Sequence, residues 1–303
     1  MVKNTNSKKP KLLTILGPTA VGKSDLAVHI ALKENGEIIS ADSRQVYRQL
    51  DIGTGKITEH EMQNIPHHCL NIADPQKQFT VAEYKQRAET AIQSIYSREH
   101  LPILVGGTGF YIKAVIDDID FPSVPPDPKL RTELEQKTTE ELYKELRTKD
   151  SKRASTIQSK NKRRLIRALE IIAHNGYVPQ HNADTSPYNL LQIGLYCDRD
   201  KLKERIHTRL EKRLANGMTK EAQTLHENGL SFERMINLGL EYRFLAYYLR
   251  GDLSYNEMRE QIETASWKYA RRQLSWFRRD ARITWFDIEN TNDIITYIQM
   301  FFS

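Results

Sequence analysis

One octapeptide constrains this chain more than any other stretch: Gly17-Pro-Thr-Ala-Val-Gly22-Lys23-Ser24, which fits the pattern GxxxxGK[ST]. An apolar run, Leu12 to Leu16, leads into it and reads as a buried strand. A helical pattern from Asp25 to Lys33 follows and ends near Asn35-Gly36. Strand, Gly-rich turn and helix in that order form a phosphate-binding loop. Gly17, Pro18, Thr19, Ala20, Val21 and Gly22 make the turn. Its backbone N–H groups (Pro18 has none) and the helix N-terminus cradle anionic oxygens. Lys23 adds a point charge, and Ser24 can ligand Mg²⁺. The rival reading is a chance match in a Gly-rich turn. The correct context on both sides weighs against it.

The alternation continues beyond the loop. Glu37 to Ala41 reads as a second strand, ending at Asp42, and turn signals such as Gly53-Thr-Gly55 follow. Residues 80–97 read as a helix capped by Thr80. A third buried strand, Leu101 to Val105, runs into Gly106-Gly-Thr-Gly109. Such alternation predicts a parallel sheet with helices on its faces. The grammar changes near residue 120, where Pro122, Pro125, Pro126 and Pro128 crowd together. From Lys129 to Gly176 only helical periodicity remains, and a polar segment from Pro179 to Pro187 closes the region. Leu190 to Tyr196 is a strand again, Asp200 to Asn216 a long helix, and Ile283 to Phe286 the last strand. The expected fold is α/β: a P-loop NTPase-like parallel sheet core from residues 1–121 and 188–303, interrupted by a helical insertion domain at 122–187.

Net charge is +6 and the pI about 9.1, a balance that attracts phosphates. Residues 152–167 carry Lys152, Arg153, Lys160, Lys162, Arg163, Arg164 and Arg167 with no acid among them. On a helix from Asn161 to Asn175, Arg163, Arg164 and Arg167 share one side, and Leu165, Leu169 and Ile172 lie on the other. Near the C-terminus Lys268, Arg271, Arg272, Arg278 and Arg279 interleave with Trp267, Tyr269, Trp276 and Phe277, with Trp267, Leu274 and Phe277 expected to pack in the core. Basic residues mixed with aromatics suit an unstacked nucleotide and its flanks. A third stripe, Arg205, Arg209 and Arg213, has helical spacing and reads most simply as a solvated face.

Other chemistries find less support. Cys69 and Cys197 make no CxxC pair, and His67-His68 have no second ligand pair at zinc spacing, so they read as loop residues. No apolar run approaches the ~20 residues that span a bilayer. Met1 to Pro10 reads as a loose polar tail, and a cytoplasmic monomer is the expectation. The loop alone does not say which phosphate it holds. An ATPase usually shows a second buried strand ending in a metal-binding Asp. Here Leu101 to Val105 ends in glycines, and only Glu37 to Ala41 leads to an Asp. Asp42 either holds Mg²⁺ in a kinase or acts as a base in another transferase, and motif logic leaves both open.

Several segments together resemble one family, the tRNA dimethylallyltransferases of bacterial type. They are the loop at 17–24, Asp42-Ser-Arg-Gln-Val-Tyr47, Asp51-Ile-Gly-Thr-Gly-Lys56, Gly106-Gly-Thr-Gly-Phe-Tyr111, Arg163-Arg-Leu-Ile-Arg-Ala-Leu-Glu170 and Arg271-Arg-Gln-Leu-Ser-Trp276. One departure is visible. Many members carry Gly-Tyr-Lys-Glu where this chain reads Gly239-Leu-Glu-Tyr-Arg243. The resemblance implies transfer of a dimethylallyl group from dimethylallyl diphosphate to N6 of adenine 37 in tRNAs reading U-initial codons, with Mg²⁺ as cofactor and the tRNA anticodon stem-loop as partner. It implies Asp42 as general base, Thr108 near the reacting groups and Arg209 on the diphosphate. It also implies tRNA contacts from Asp42, Ser43, Arg44, Gln45, Thr108, Arg131, Arg163, Arg164, Leu165, Ile166, Arg167, Arg271, Arg272, Gln273, Trp276 and Arg278. Rival readings are a small-molecule P-loop kinase, an enzyme prenylating free adenine nucleotides, and an RNA-binding protein with a vestigial loop.

Overall fold

The computed structural model describes residues 9–125, 127–178 and 186–303; the expected tail up to Lys8, Pro126 and most of the Pro179–Pro187 segment lie outside them. The chain divides into two compact units, one formed by Met1–Asp118 with Ser186–Ser303 and the other by Ile119–Thr185.

The first unit begins with β1 (Lys11–Leu16), α1 (Lys23–Lys33), β2 (Gly36–Ala41), α2 (Glu59–Met62), β3 (His67–His68), α3 (Val81–Ser97), β4 (Leu101–Gly106) and α4 (Gly109–Ile116). Among the described residues of the unit six strands run parallel in the order β3-β2-β4-β1-β5-β6, where β5 is Asn189–Tyr196 and β6 is Ile283–Asp287. β1, β2 and β4 are buried along almost their whole length, so β1 and β4 appear in sequence as largely apolar runs, while β2 carries the buried polar Glu37 and Ser40 around Ile38-Ile39. Their side chains still alternate. Leu12, Leu16, Ile39 and Leu104 pack on one face with Tyr84 and Ile92 of α3, and Leu13, Ile15, Ile38 and Ile103 pack on the other with Leu26 and Ile30 of α1. Thr80 caps α3 as expected: its hydroxyl accepts from Glu83 N–H at 3.2 Å, and the Glu83 carboxylate accepts from Thr80 N–H at 2.8 Å.

The second unit, taken by itself, is helical: α5 (Pro128–Glu135), α6 (Thr139–Lys149), α7 (Ser151–Thr156) and α8 (Lys162–Asn175). Leu134, Leu142, Leu146, Leu165 and Leu169 form its core. A buried acid, Glu170, anchors it, accepting from Asp127 N–H at 3.1 Å, Arg131 Nε at 2.7 Å and Arg167 Nη1 at 3.4 Å.

The chain then returns to the sheet through β5 and continues with α9 (Arg199–Ala215), α10 (Met218–Glu227), α11 (Phe232–Leu238), α12 (Leu240–Leu249), α13 (Tyr255–Phe277), β6 and α14 (Thr291–Phe302). Register places Leu16 beside Gly106, and Gly106 beside Ala41. The residues that follow, Gly17, Asp42 and Gly107, therefore emerge together at the carboxyl edge of the sheet, where open α/β folds bind ligands.

His67 and His68 are not loop residues. They form β3 and pair with Ile38 and Ile39 of β2. His68 Nε2 lies 2.7 Å from a Glu37 carboxylate oxygen, and His100 Nδ1 lies 2.7 Å from the other. Arg98 donates to both oxygens at 2.9 Å. Burial pushes the Glu37 pKa up, but the hydrogen bonds from His68, Arg98 and His100 outweigh it and hold the carboxyl at about 2. A folded-state pKa below the ordinary 4.5 stabilises the fold above that ordinary value, and the contribution is lost as pH falls towards about 2. We expect Glu37→Gln to cost on the order of 2 kcal/mol at neutral pH and to flatten the dependence of urea stability on pH below ~4.5. Equal slopes for variant and wild type in acid would remove Glu37 from this role.

Candidate active site

The loop at 17–24 closes tightly over the N-terminus of α1. Gly17 has φ 150°, and a Cβ there would sit 2.6 Å from the carbonyl oxygen of Leu195, so only glycine fits. Lys23 Nζ folds back to donate to Pro18 O at 2.7 Å. α9 then brings its arginines to the loop. Arg205 Nη1 donates to Val21 O at 2.9 Å, and Arg209 Nη2 donates to the Thr19 hydroxyl. Arg213 is buried and pairs with Glu241 at 3.1 Å. The stripe that reads as a solvated face in sequence points inward.

Crowding these cations has an electrostatic cost. Burial, then the neighbouring Arg209 charge, lowers the Lys23 pKa to about 7, with Asp42 opposing. Some of the Lys23 surface stays accessible, so desolvation here reflects close protein packing and not complete enclosure. Burial, then Arg213, lowers Arg209 to about 9, which leaves its guanidinium charged at neutral pH. A polyanion on the loop relieves both strains.

Asp42 follows β2. One carboxylate oxygen accepts from Arg44 N–H at 2.8 Å and from Gln45 N–H at 3.3 Å, which fixes the side chain at the start of a turn. Thr108 braces that turn from β4, its hydroxyl accepting from Ser43 N–H at 3.0 Å. Gln45 is occupied internally, donating to Gly55 O at 3.1 Å and lying 3.2 Å from the Ser40 hydroxyl. The Asp51–Lys56 segment is clamped in turn. Glu221 accepts from the N–H groups of Asp51, Ile52 and Gly53 at 2.7–3.0 Å, and Lys56 bonds Asp51, Asn71 and Tyr47 O at 2.6–2.8 Å. The departing segment at 239–243 joins this scaffold: Glu241 pairs with Arg213, and buried Tyr242 donates to Glu221 at 2.6 Å.

Two cavities meet at Asp42. A small chamber of about 100 Å³ lies against the loop and includes Lys23, Ser24, Ile38, Ile57, Leu70 and Val105 in its wall. A wider cleft of about 680 Å³ is lined by Ser43, Arg44, Arg243, Lys268 and Arg272, with Glu241 and Glu260 among them. Thr19, Asp42, Thr54, Arg209 and Tyr269 line both. Sequence reasoning missed Arg205, Arg213, Glu221 and Tyr242 as parts of the site. For the arginines, the only available signal was their four-residue spacing beside the apolar Leu202, Ile206 and Leu210.

Several expected tRNA contacts need correction. Gln273 is 5% exposed, and both ends of its amide bond to main chain, so it is not open to RNA. Leu165 and Ile166 are buried in the core of the helical unit, because they fall on the packed side of α8. Arg131 and Arg167 pair with Glu170, and part of each side chain remains exposed. Arg163 and Arg164 stay exposed, as do Arg271, Arg272, Arg278 and Trp276. Of the expected core residues of α13, Phe277 is buried, while Trp267 and Leu274 are half-buried.

A phosphate loop facing an acid across two joined cavities defines a group-transferring enzyme. Comparison with known proteins gives the family. The family model described as IPP transferase matches residues 45–280. A tRNA dimethylallyltransferase of Halalkalibacterium halodurans is 41% identical over 94% of this chain and 93% of its own length. One from Anoxybacillus flavithermus is 39% identical over 95% and 96%. Among solved structures, the full-length tRNA isopentenylpyrophosphate transferase of Bacillus halodurans aligns with a TM-score of 0.74 at 39% identity, covering 97% of each chain. A eukaryotic dimethylallyltransferase acting on tRNA aligns with a TM-score of 0.80 at 27% identity, covering 92% of this chain and 74% of its own. The chain belongs to the tRNA dimethylallyltransferase family and is a prenyltransferase.

The lowered Lys23 pKa has a consequence for binding. An anion on the loop favours the charged amine, so inorganic diphosphate binding should take up a proton and weaken as pH rises through about 7. In Lys23→Ala the affinity should be lower and this dependence largely gone. Calorimetry in buffers of different ionisation enthalpy checks both. An unchanged pH profile in the variant would show that Lys23 does not meet the anion.

Proposed function

We propose that this chain transfers a dimethylallyl group from dimethylallyl diphosphate to N6 of adenine 37 in tRNAs reading U-initial codons, releasing diphosphate. One observation carries the reading: Asp42 stands in the wall shared by the phosphate-loop chamber and the basic cleft. The diphosphate sits on the loop against Lys23 and Arg209, and the prenyl tail takes the apolar wall of Ile38, Ile57, Leu70 and Val105. The adenine enters from the cleft. The N6–C1 bond forms as the C1–oxygen bond breaks. The electron pair of the latter leaves on diphosphate, where Lys23 and Arg209 offset the growing charge. The N6 proton passes to the Asp42 carboxylate. The position in the tRNA and the codon class rest on the family resemblance.

Mg²⁺ fits this site as a companion of the donor. Among the described residues no group of three or more His, Cys, Asp or Glu could cage a metal, but the exposed Ser24 hydroxyl lines the same chamber as Asp42. Mg²⁺ is commonly held by few protein oxygens together with substrate phosphates, and when bound it would help neutralise the leaving diphosphate. The partner is the anticodon stem-loop. Arg44, Arg243, Lys268 and Arg272 suit its backbone near the cleft, and Arg163 and Arg164 offer a second basic face on the helical unit. No helix of the described residues is long and apolar enough to cross a membrane, and we propose a cytoplasmic, monomeric enzyme.

Two outcomes follow. Asp42→Asn keeps the shape and loses the base, so single-turnover transfer with saturating tRNA should fall ~10²- to 10⁴-fold in a normally folded protein. A rate near wild type would remove Asp42 from the role. Replacing Arg163 and Arg164 with Ala should weaken tRNA binding and leave diphosphate affinity unchanged, and each lost phosphate contact should lower the slope of log K against log[salt] by about 0.7–0.9. Unchanged slope and affinity would make that face merely solvated.

A further inference from the structure

We infer that Gln273 is a positioning residue for the transfer, setting the distance between the donor loop and the turn that braces Asp42. The inference rests on the proposed reaction and adds a part that it does not contain. Gln273 lies on the buried side of α13, the helix whose Lys268, Tyr269 and Arg272 line the acceptor cleft. Its Oε1 accepts from Thr19 N–H at 2.8 Å, inside the phosphate loop. Its Nε2 donates to Gly107 O at 2.9 Å, in the turn after β4. The next residue, Thr108, holds Ser43 N–H, beside Asp42. One amide therefore ties the donor loop to the Asp42 turn, from a helix that also faces the acceptor.

The chemistry of the amide suits this role. It offers one acceptor and one donor group, so it can satisfy an N–H and a carbonyl at the same time. A charged side chain in that place would lose one bond and add a charge beside the diphosphate. Thr19 is gripped twice, with Arg209 on its hydroxyl and Gln273 on its N–H. Gly107 is the necessary complement: a Cβ at Gly107 would fall onto Gln273 Nε2. Its backbone does not adopt the left-handed region, so alanine there is conformationally tolerated and acts by displacing the flexible end of Gln273.

That geometry permits a test from both sides of the contact. In Gln273→Ala and in Gly107→Ala, single-turnover prenyl transfer should fall tenfold or more, as expected for reactants held about 1 Å out of place. Affinities for inorganic diphosphate and for tRNA should move by no more than a few fold, because Lys23, Arg209 and the basic cleft remain. Melting curves confirm that each variant is folded, and the Gly107→Ala arm carries the test if Gln273→Ala does not fold. In the double variant the alanine at 107 meets no amide, so its rate should match Gln273→Ala alone. Rate losses that multiply would make the two positions independent and overturn the inference. So would a wild-type rate in either folded variant, or a rate loss matched by an equal loss of tRNA affinity. If wild-type protein transfers no prenyl group, the underlying reaction fails; if wild type transfers and the variants keep pace, only the role of Gln273 fails.

Discussion

Everything at this site depends on how closely three strand ends approach one another. Gly106 lies against the Ala41 carbonyl, Gly17 against the Leu195 carbonyl, and Gly107 against the Gln273 amide. A side chain at Gly106 or Gly17 would meet the main chain of the neighbouring strand and wedge the two apart, and one at Gly107 would push the Gln273 amide away. Because nothing intervenes, the phosphate loop, Asp42 and Thr108 leave one sheet edge together. The parallel sheet supplies rigidity, and the glycines turn it into proximity. Positioning of this kind is a large part of what an enzyme contributes when a weak nucleophile must meet a specific carbon.

The second ingredient is charge held in reserve. α9 spends one whole side on Arg205, Arg209 and Arg213, and these reach the loop at Val21, the loop at Thr19, and Glu241. Two acids, Asp42 and Glu241, oppose them without neutralising the group. Burial first, and the neighbouring guanidinium charge second, depress the pKa values of Lys23 and Arg209. A diphosphate on the loop, as proposed, would balance this charge, and more so in a transition state where charge gathers on the leaving group. The departure at 239–243 fits within this scheme. Glu241 and Tyr242 serve the scaffold around Arg213 and Glu221, so an altered sequence there still supports the arginine stripe.

The sequence made the frame legible because burial leaves a mark. β1, β4 and β5 are largely apolar runs, Ile38-Ile39 mark β2, and Thr80 precedes α3 as its cap. The two-residue strand β3 left no such mark: His67 and His68 join the sheet through main-chain pairing and through Glu37, which no local pattern reveals. The arginines of α9 were misread for a related reason. A polar stripe looks the same whether water or an anion site faces it, and only tertiary packing tells the two apart. Gln273 was misplaced in the opposite direction, as an RNA contact, because a polar residue in a basic stretch suggests exposure. Leu165 and Ile166 show the limit of carrying a whole motif across: the exposed face of α8 belongs to Arg163 and Arg164, and their apolar neighbours pack inward.

Asp42 is the proposed meeting place of donor and acceptor. The transfer is tested most directly by giving the protein Mg²⁺, unmodified tRNA and dimethylallyl diphosphate labelled in its prenyl carbons, then digesting the tRNA to nucleosides. Label is expected on N6 of one adenosine per tRNA, with one diphosphate released for each. Label remaining entirely in the donor, with folded protein that binds both substrates, would contradict it.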